Sequence, residues 1–153
     1  MSTTQHTSPA ALPAIMPRLP DFANRLPQSE AEAMYALAYQ LTERGLHDKA
    51  FATLTVLRLY RPKDPSYAKA MAICCRKMGR YDEAVRYFAQ TMELRPDDYE
   101  PAFQMIECMV LMGAREQAGE VLRMISVVAR HAGLTDTLER AETLLGFMQA
   151  SLQ

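Results

Sequence analysis

Apolar residues along this chain of 153 residues follow a helical rhythm that recurs at a fixed interval. Met34, Leu37, Ala38 and Leu41 stand at i, i+3, i+4 and i+7, which places them in one stripe on a helix. Ala68, Met71, Ala72 and Cys75 repeat that spacing, and so do Ala102, Met105, Ile106 and Met109. Between these sets lie others: Ala50, Leu54 and Leu57, then Ala84, Phe88 and Thr91, then Ala118, Leu122 and Ile125. Corresponding positions are 34 residues apart, as are Gly45, Gly79 and Gly113. The pattern predicts helices at about 30–43, 47–60, 65–77, 81–93, 99–111, 115–131 and 134–150, with boundaries good to about two to four residues.

A period of 34 residues is the signature of the tetratricopeptide helix–turn–helix repeat. Each glycine falls in the turn between the two helices of a repeat, where a left-handed conformation is expected, and each following alanine allows those helices to approach closely. Pro62 and Pro96 end the first two frames, because proline cannot continue a helix. Arg130 stands in that place in the third, so its second helix is expected to run longer. The last predicted helix is not part of a repeat. Its stripe of Leu134, Leu138, Ala141, Leu145 and Met148 suits a cap over the third repeat, preceded by a turn at Gly133. The expected fold class is all-α: a right-handed solenoid of three tetratricopeptide repeats with a C-terminal capping helix. Stacked repeats of this kind curve into a concave groove, which binds peptides and rarely does chemistry.

Two domains of behaviour are expected. Residues 1–28 hold five of the nine prolines (Pro9, Pro13, Pro17, Pro20 and Pro27), a spacing that forbids a continuous helix and favours a flexible, extended, solvated arm. Leu19, Phe22 and Leu26 are spaced so that they can share one short apolar face in it. Residues 29–153 are the repeat domain, with Ser29 and Glu32 spaced as a capping box at its first helix.

Composition narrows the function. Seventeen Lys and Arg against eighteen Asp and Glu give a net charge of −1, and no segment interleaves basic and aromatic residues, which argues against a nucleic-acid partner. No run approaches the roughly 18 apolar residues of a membrane span. No Lys or Arg precedes Arg18 and prolines interrupt the mildly apolar stretch, so no secretory signal is read and a cytosolic protein is expected. Cys74, Cys75 and Cys108 lie on predicted first helices and read as small buried hydrophobes; no Cys-x-x-Cys exists, and His6, His47 and His131 are isolated. No metal site, no cofactor and no enzyme activity are expected, since no Ser/His/Asp set, metal cluster or phosphate loop is present.

The inner face of such a solenoid comes chiefly from the first helix of each repeat, one residue off the core stripe. Those positions are Tyr35, Tyr39 and Thr42, then Lys69, Ile73 and Arg76, then Phe103, Glu107 and Val110. Aromatic and aliphatic side chains there suit apolar side chains of a bound segment, while Lys69 and Arg76 suit backbone carbonyls or an acidic residue. Packing between adjacent helices is the other use open to Tyr35, Tyr39 and Phe103. Met34, Met71, Met105 and Met109 fall on core positions, so the eleven methionines do not by themselves define a binding surface.

The stretches MYALAYQLTERGLHDKA, CCRKMGRYDEAVRYFAQTM and FQMIECMVLMGAREQA resemble the class II chaperones of type III secretion systems over roughly residues 30–150. The resemblance rests on Tyr35 with Tyr39, on Cys74 before Met78-Gly79, and on Phe103 with Glu107-Cys108 before Gly113. It implies a cytosolic chaperone without ATPase activity that holds an extended, apolar segment of a pore-forming translocator until export, with Tyr35, Tyr39 and Phe103 forming pockets. The N-terminal helix that dimerises some members is replaced here by the proline-rich arm; a homodimer is the other association considered. Competing readings are a chaperone of needle or other apparatus subunits and a generic tetratricopeptide adaptor, including one that clamps C-terminal carboxylates.

Overall fold

The 34-residue frame becomes three helical hairpins and a seventh helix in a computed structural model, which describes residues 25–151. The helices are α1 (Gln28–Glu43), α2 (His47–Tyr60), α3 (Pro65–Lys77), α4 (Tyr81–Leu94), α5 (Glu100–Leu111), α6 (Arg115–Ala132) and α7 (Thr135–Ala150), and no strand occurs among the described residues. Each helix packs on the next in chain order, the arrangement of a solenoid. The longer second helix expected in the third repeat is observed, since α6 has 18 residues against 14 in α2 and α4. The arm expected over residues 1–28 lies outside the described residues as far as Asn24.

The turns follow from backbone stereochemistry. Gly45, Gly79 and Gly113 have φ of 76°, 73° and 85°, and a Cβ built on any of them meets nothing within 4 Å. Glycine is required by the left-handed conformation, not by crowding. At the first turn the amide of Leu46 donates to the Leu41 carbonyl at 2.9 Å and that of Gly45 to Thr42 at 3.0 Å, which satisfies carbonyls that the helix end leaves open.

The repeat triads of α2, α4 and α6 are all buried, and so are Cys74, Cys75 and Cys108, which are free thiols. Burial pushes the Cys75 thiol up to about 11 and raises those of Cys74 and Cys108, so all three stay protonated at neutral pH. Two sequence expectations are corrected. Leu37 is 49% exposed, although its counterparts one and two repeats on, Met71 and Met105, are 2% and 8% exposed. That face packs against the preceding repeat, and no described helix precedes α1. The Ser29–Glu32 capping box does not form either: α1 begins two residues earlier than that cap requires, with Pro27 as its cap, and Glu32 instead accepts from Gln28 Nε2 at 2.7 Å. Pro27, at φ −55°, presets the helix entry without a side-chain cap.

The capping helix expected after Gly133 is present. Ala141 is fully buried against α5 and α6 residues, with Leu144, Leu145 and Met148 packed around it. Ion pairs hold its polar flank, from Arg140 to Glu100 on α5 and from Arg130 on α6 to Glu142, each at 2.6 Å.

Candidate functional site

A cleft of about 500 Å³ opens on the face built by α1 and α3, and its wall is more apolar than polar. Tyr35 and Tyr39, one helical turn apart, project from α1; Lys69 and Ile73, also a turn apart, project from α3. The two helices run in the same direction because α2 returns the chain between them, so equivalent repeat positions face one another across the cleft. Tyr35 leans on Tyr67 with ring centroids 5.4 Å apart, and burial together with the Asp64 carboxylate raises its pKa, so it presents a neutral phenol. Tyr39 is 64% exposed, a large aromatic surface with nothing described packed over it. Thr42 also lines the cleft, with its hydroxyl donating back to the Ala38 carbonyl at 3.0 Å and lying 3.7 Å from the Cys74 sulfur.

The remaining candidate residues take other places. Arg76 bonds Glu107 at 3.0 Å, a partly exposed bridge that ties α3 to α5 beyond the cleft. Phe103 is 3% exposed, packed with Ile106, Leu122 and Ala141, and the Arg140 guanidinium covers its ring at 4.1 Å from the centroid. Phe103 thus lies beside a smaller cleft between α5 and α7, not on the cleft that Tyr35 and Tyr39 line. Tyr35, Tyr39, Lys69 and Ile73 are brought together; Arg76, Glu107 and Phe103 are not among them.

Sequence reasoning missed the rim. Glu43 and Lys77 at the ends of α1 and α3, and Arg95 and Asp98 in the turn between α4 and α5, also line the cleft. A reading confined to first helices omits the inter-repeat turn, yet that turn lines the same cleft as the start of α3. One signal was available: Thr91 is a polar residue at a core position of α4, buried with its hydroxyl on the Tyr87 carbonyl, and it forms part of the cleft floor. The rim carries both signs of charge around an apolar wall, an arrangement able to hold an extended chain by its side chains and its peptide groups. Among the described residues no group of His, Cys, Asp or Glu could hold a metal ion, and no helix is long and apolar enough to cross a membrane.

Fold and cleft define the class as a tetratricopeptide-repeat solenoid with an open concave face, and residues 76–132 match the family model of the tetratricopeptide repeat. Within that class the similarity is to type III secretion chaperones, as the sequence resemblance implied. The chaperone protein SicA of Salmonella typhimurium is 26% identical over 125 residues, covering 77% of this chain and 76% of SicA. PcrH of Pseudomonas aeruginosa, solved with the chaperone-binding region of PopD, superposes with a TM-score of 0.70 at 19% identity, covering 84% of this chain and 97% of PcrH. The Yersinia enterocolitica chaperone SycD, solved with a peptide of the translocator YopD, gives a TM-score of 0.69 at 18% identity, covering 83% and 98%.

Proposed function

We infer that this protein is a cytoplasmic type III secretion chaperone that binds an extended, apolar segment of a translocator protein along the cleft between α1 and α3, keeping it soluble and fit for export. The observation that carries the reading is the convergence of Tyr35, Tyr39 and Ile73 on one concave wall, in a fold shared with chaperones solved on translocator segments. Apolar side chains of the bound segment would cover Tyr39 and Ile73. Lys69, Lys77 and Arg95 would donate to its carbonyls, and Glu43 and Asp98 would accept from its amides. Binding of this kind needs neither nucleotide nor metal, because the free energy comes from covered apolar surface and matched peptide groups.

The test is capture of a translocator co-expressed from the same secretion system. Tyr39→Ala with Ile73→Ala should weaken capture by about 1–3 kcal/mol, as truncated anchor residues do. Helicity should be unchanged. A wild-type chain that captures needle or other apparatus subunits and no translocator would overturn the reading.

A further inference from the structure

The cleft has a candidate occupant within the same chain. Residues 9–24, PAALPAIMPRLPDFAN, precede the described structure and carry only Arg18 and Asp21 as charges. In a polyproline II helix, with three residues per turn, Pro13, Met16, Leu19 and Phe22 share one face. That is an extended apolar stripe, the same ligand chemistry that the cleft suits. We propose that this segment lies in the cleft of its own chain when no client is bound, as a placeholder that a client displaces; the proposal rests on the reading of the cleft as a peptide site.

The place where the segment leaves the fold supports this. Leu26 packs on the first core cluster, and its carbonyl accepts from Arg61 Nη2 at 3.2 Å. Arg61 begins the short turn to Pro65 and Ser66, which line the cleft. The chain therefore enters α1 beside the turn that leads into the cleft wall. Arg61 Nε at this exit is buried and has no acceptor among the described residues, a donor that a carbonyl of the preceding segment would satisfy. Reach is ample, because as a polyproline II helix the 14 residues from Pro9 to Phe22 would span about 43 Å at about 3.1 Å each. Adjacent helix axes are only about 8–10 Å apart. Low charge matters as well, because a segment rich in Lys or Glu would not leave water for an apolar wall.

The experiment uses the full chain. With a photo-crosslinking benzoylphenylalanine in place of Tyr39, irradiation should join the probe to residues 12–22 at the mass of one chain, and Leu19→Asp with Phe22→Asp should abolish that product. In the second arm, a fluorescent peptide of residues 8–24 should bind the Leu19→Asp/Phe22→Asp chain about tenfold more tightly than wild type, since an occupied site lowers apparent affinity by its free fraction. Absence of the crosslink, a product only at the mass of two chains, or equal peptide affinities would overturn the proposal. A chain that captures a translocator but shows no such crosslink keeps the proposed function and loses only the placeholder. One that shows the crosslink yet captures no translocator has the opposite outcome.

Discussion

Tyr35 in the first repeat and Phe103 in the third occupy the same repeat position, 68 residues apart, and meet different fates. Tyr35 is half-buried and lines the open cleft, while Phe103 is 3% exposed beneath Arg140 and beside α7. Lys69, the counterpart in the second repeat, also lines the cleft. The helical phase is the same at all three sites. What differs is the neighbour: α7 returns over the third repeat and takes up its inner aromatic, whereas nothing described returns over the first. A repeat position therefore specifies a face of the solenoid, and the ends of the array decide whether that face binds or packs.

The strongest way to break this contrast is to remove α7. Deleting residues 134–153 strips Ala141, Leu144, Leu145 and Met148 from the third repeat and uncovers its core cluster. The truncated protein is expected to melt earlier or aggregate, as solenoids without an end cap do. A truncation that stays monomeric, keeps its melting temperature and loses only client binding would place α7 in the binding site.

Next in size is Phe103→Ala. A large buried side chain truncated in a packed cluster costs about 3–5 kcal/mol, so denaturant unfolding should shift strongly while the folded fraction still binds. Loss of binding at unchanged stability would put Phe103 in a client pocket after all. Tyr39→Ala is the mirror experiment, expected to cost at most about 0.5 kcal/mol in stability, because the residue is 64% exposed. It should still weaken client binding, and a Tyr39→Ala protein that melts much earlier with full affinity would collapse the contrast.

The smallest effect expected is from Arg140→Ala. Its hydrogen bond holds the Glu100 carboxyl below the usual carboxylate range, and a depressed folded-state pKa contributes stability above the unfolded value that is lost as pH falls through the folded one. Both side chains are 44% exposed, so the pair is worth less than about 1 kcal/mol. The stability gap between wild type and variant should thus be largest near neutral pH and narrow in acid, read from urea midpoints. A gap of the same size at every pH would exclude the ion pair as its source, leaving the stacking on Phe103 to account for it.

Much of the fold was legible because it is local. Helix bounds follow from apolar spacing and from left-handed glycines, and both act within a few residues of one another. The wall of the cleft was legible in part: Tyr35, Tyr39, Lys69 and Ile73 follow from helical phase alone. Arg95 and Asp98 were not, since they reach the cleft from a turn whose position depends on how two repeats stack. Leu37 was misread for a related reason, because its stripe position is buried only where a repeat stands in front of it.

By itself, then, the sequence determined the repeat, its period, the turns, the buried triads of α2, α4 and α6, and the existence of a seventh helix with one apolar side. Only the tertiary structure decided which inner-face residues are open. Phe103 was taken into the core and Arg76 was paired with Glu107, while Tyr39 was left to solvent. The physical reason is that periodicity encodes the direction in which a side chain points, whereas its exposure depends on what lies in that direction. For an array of near-identical hairpins, this is set by the order of stacking and by the helix that ends it.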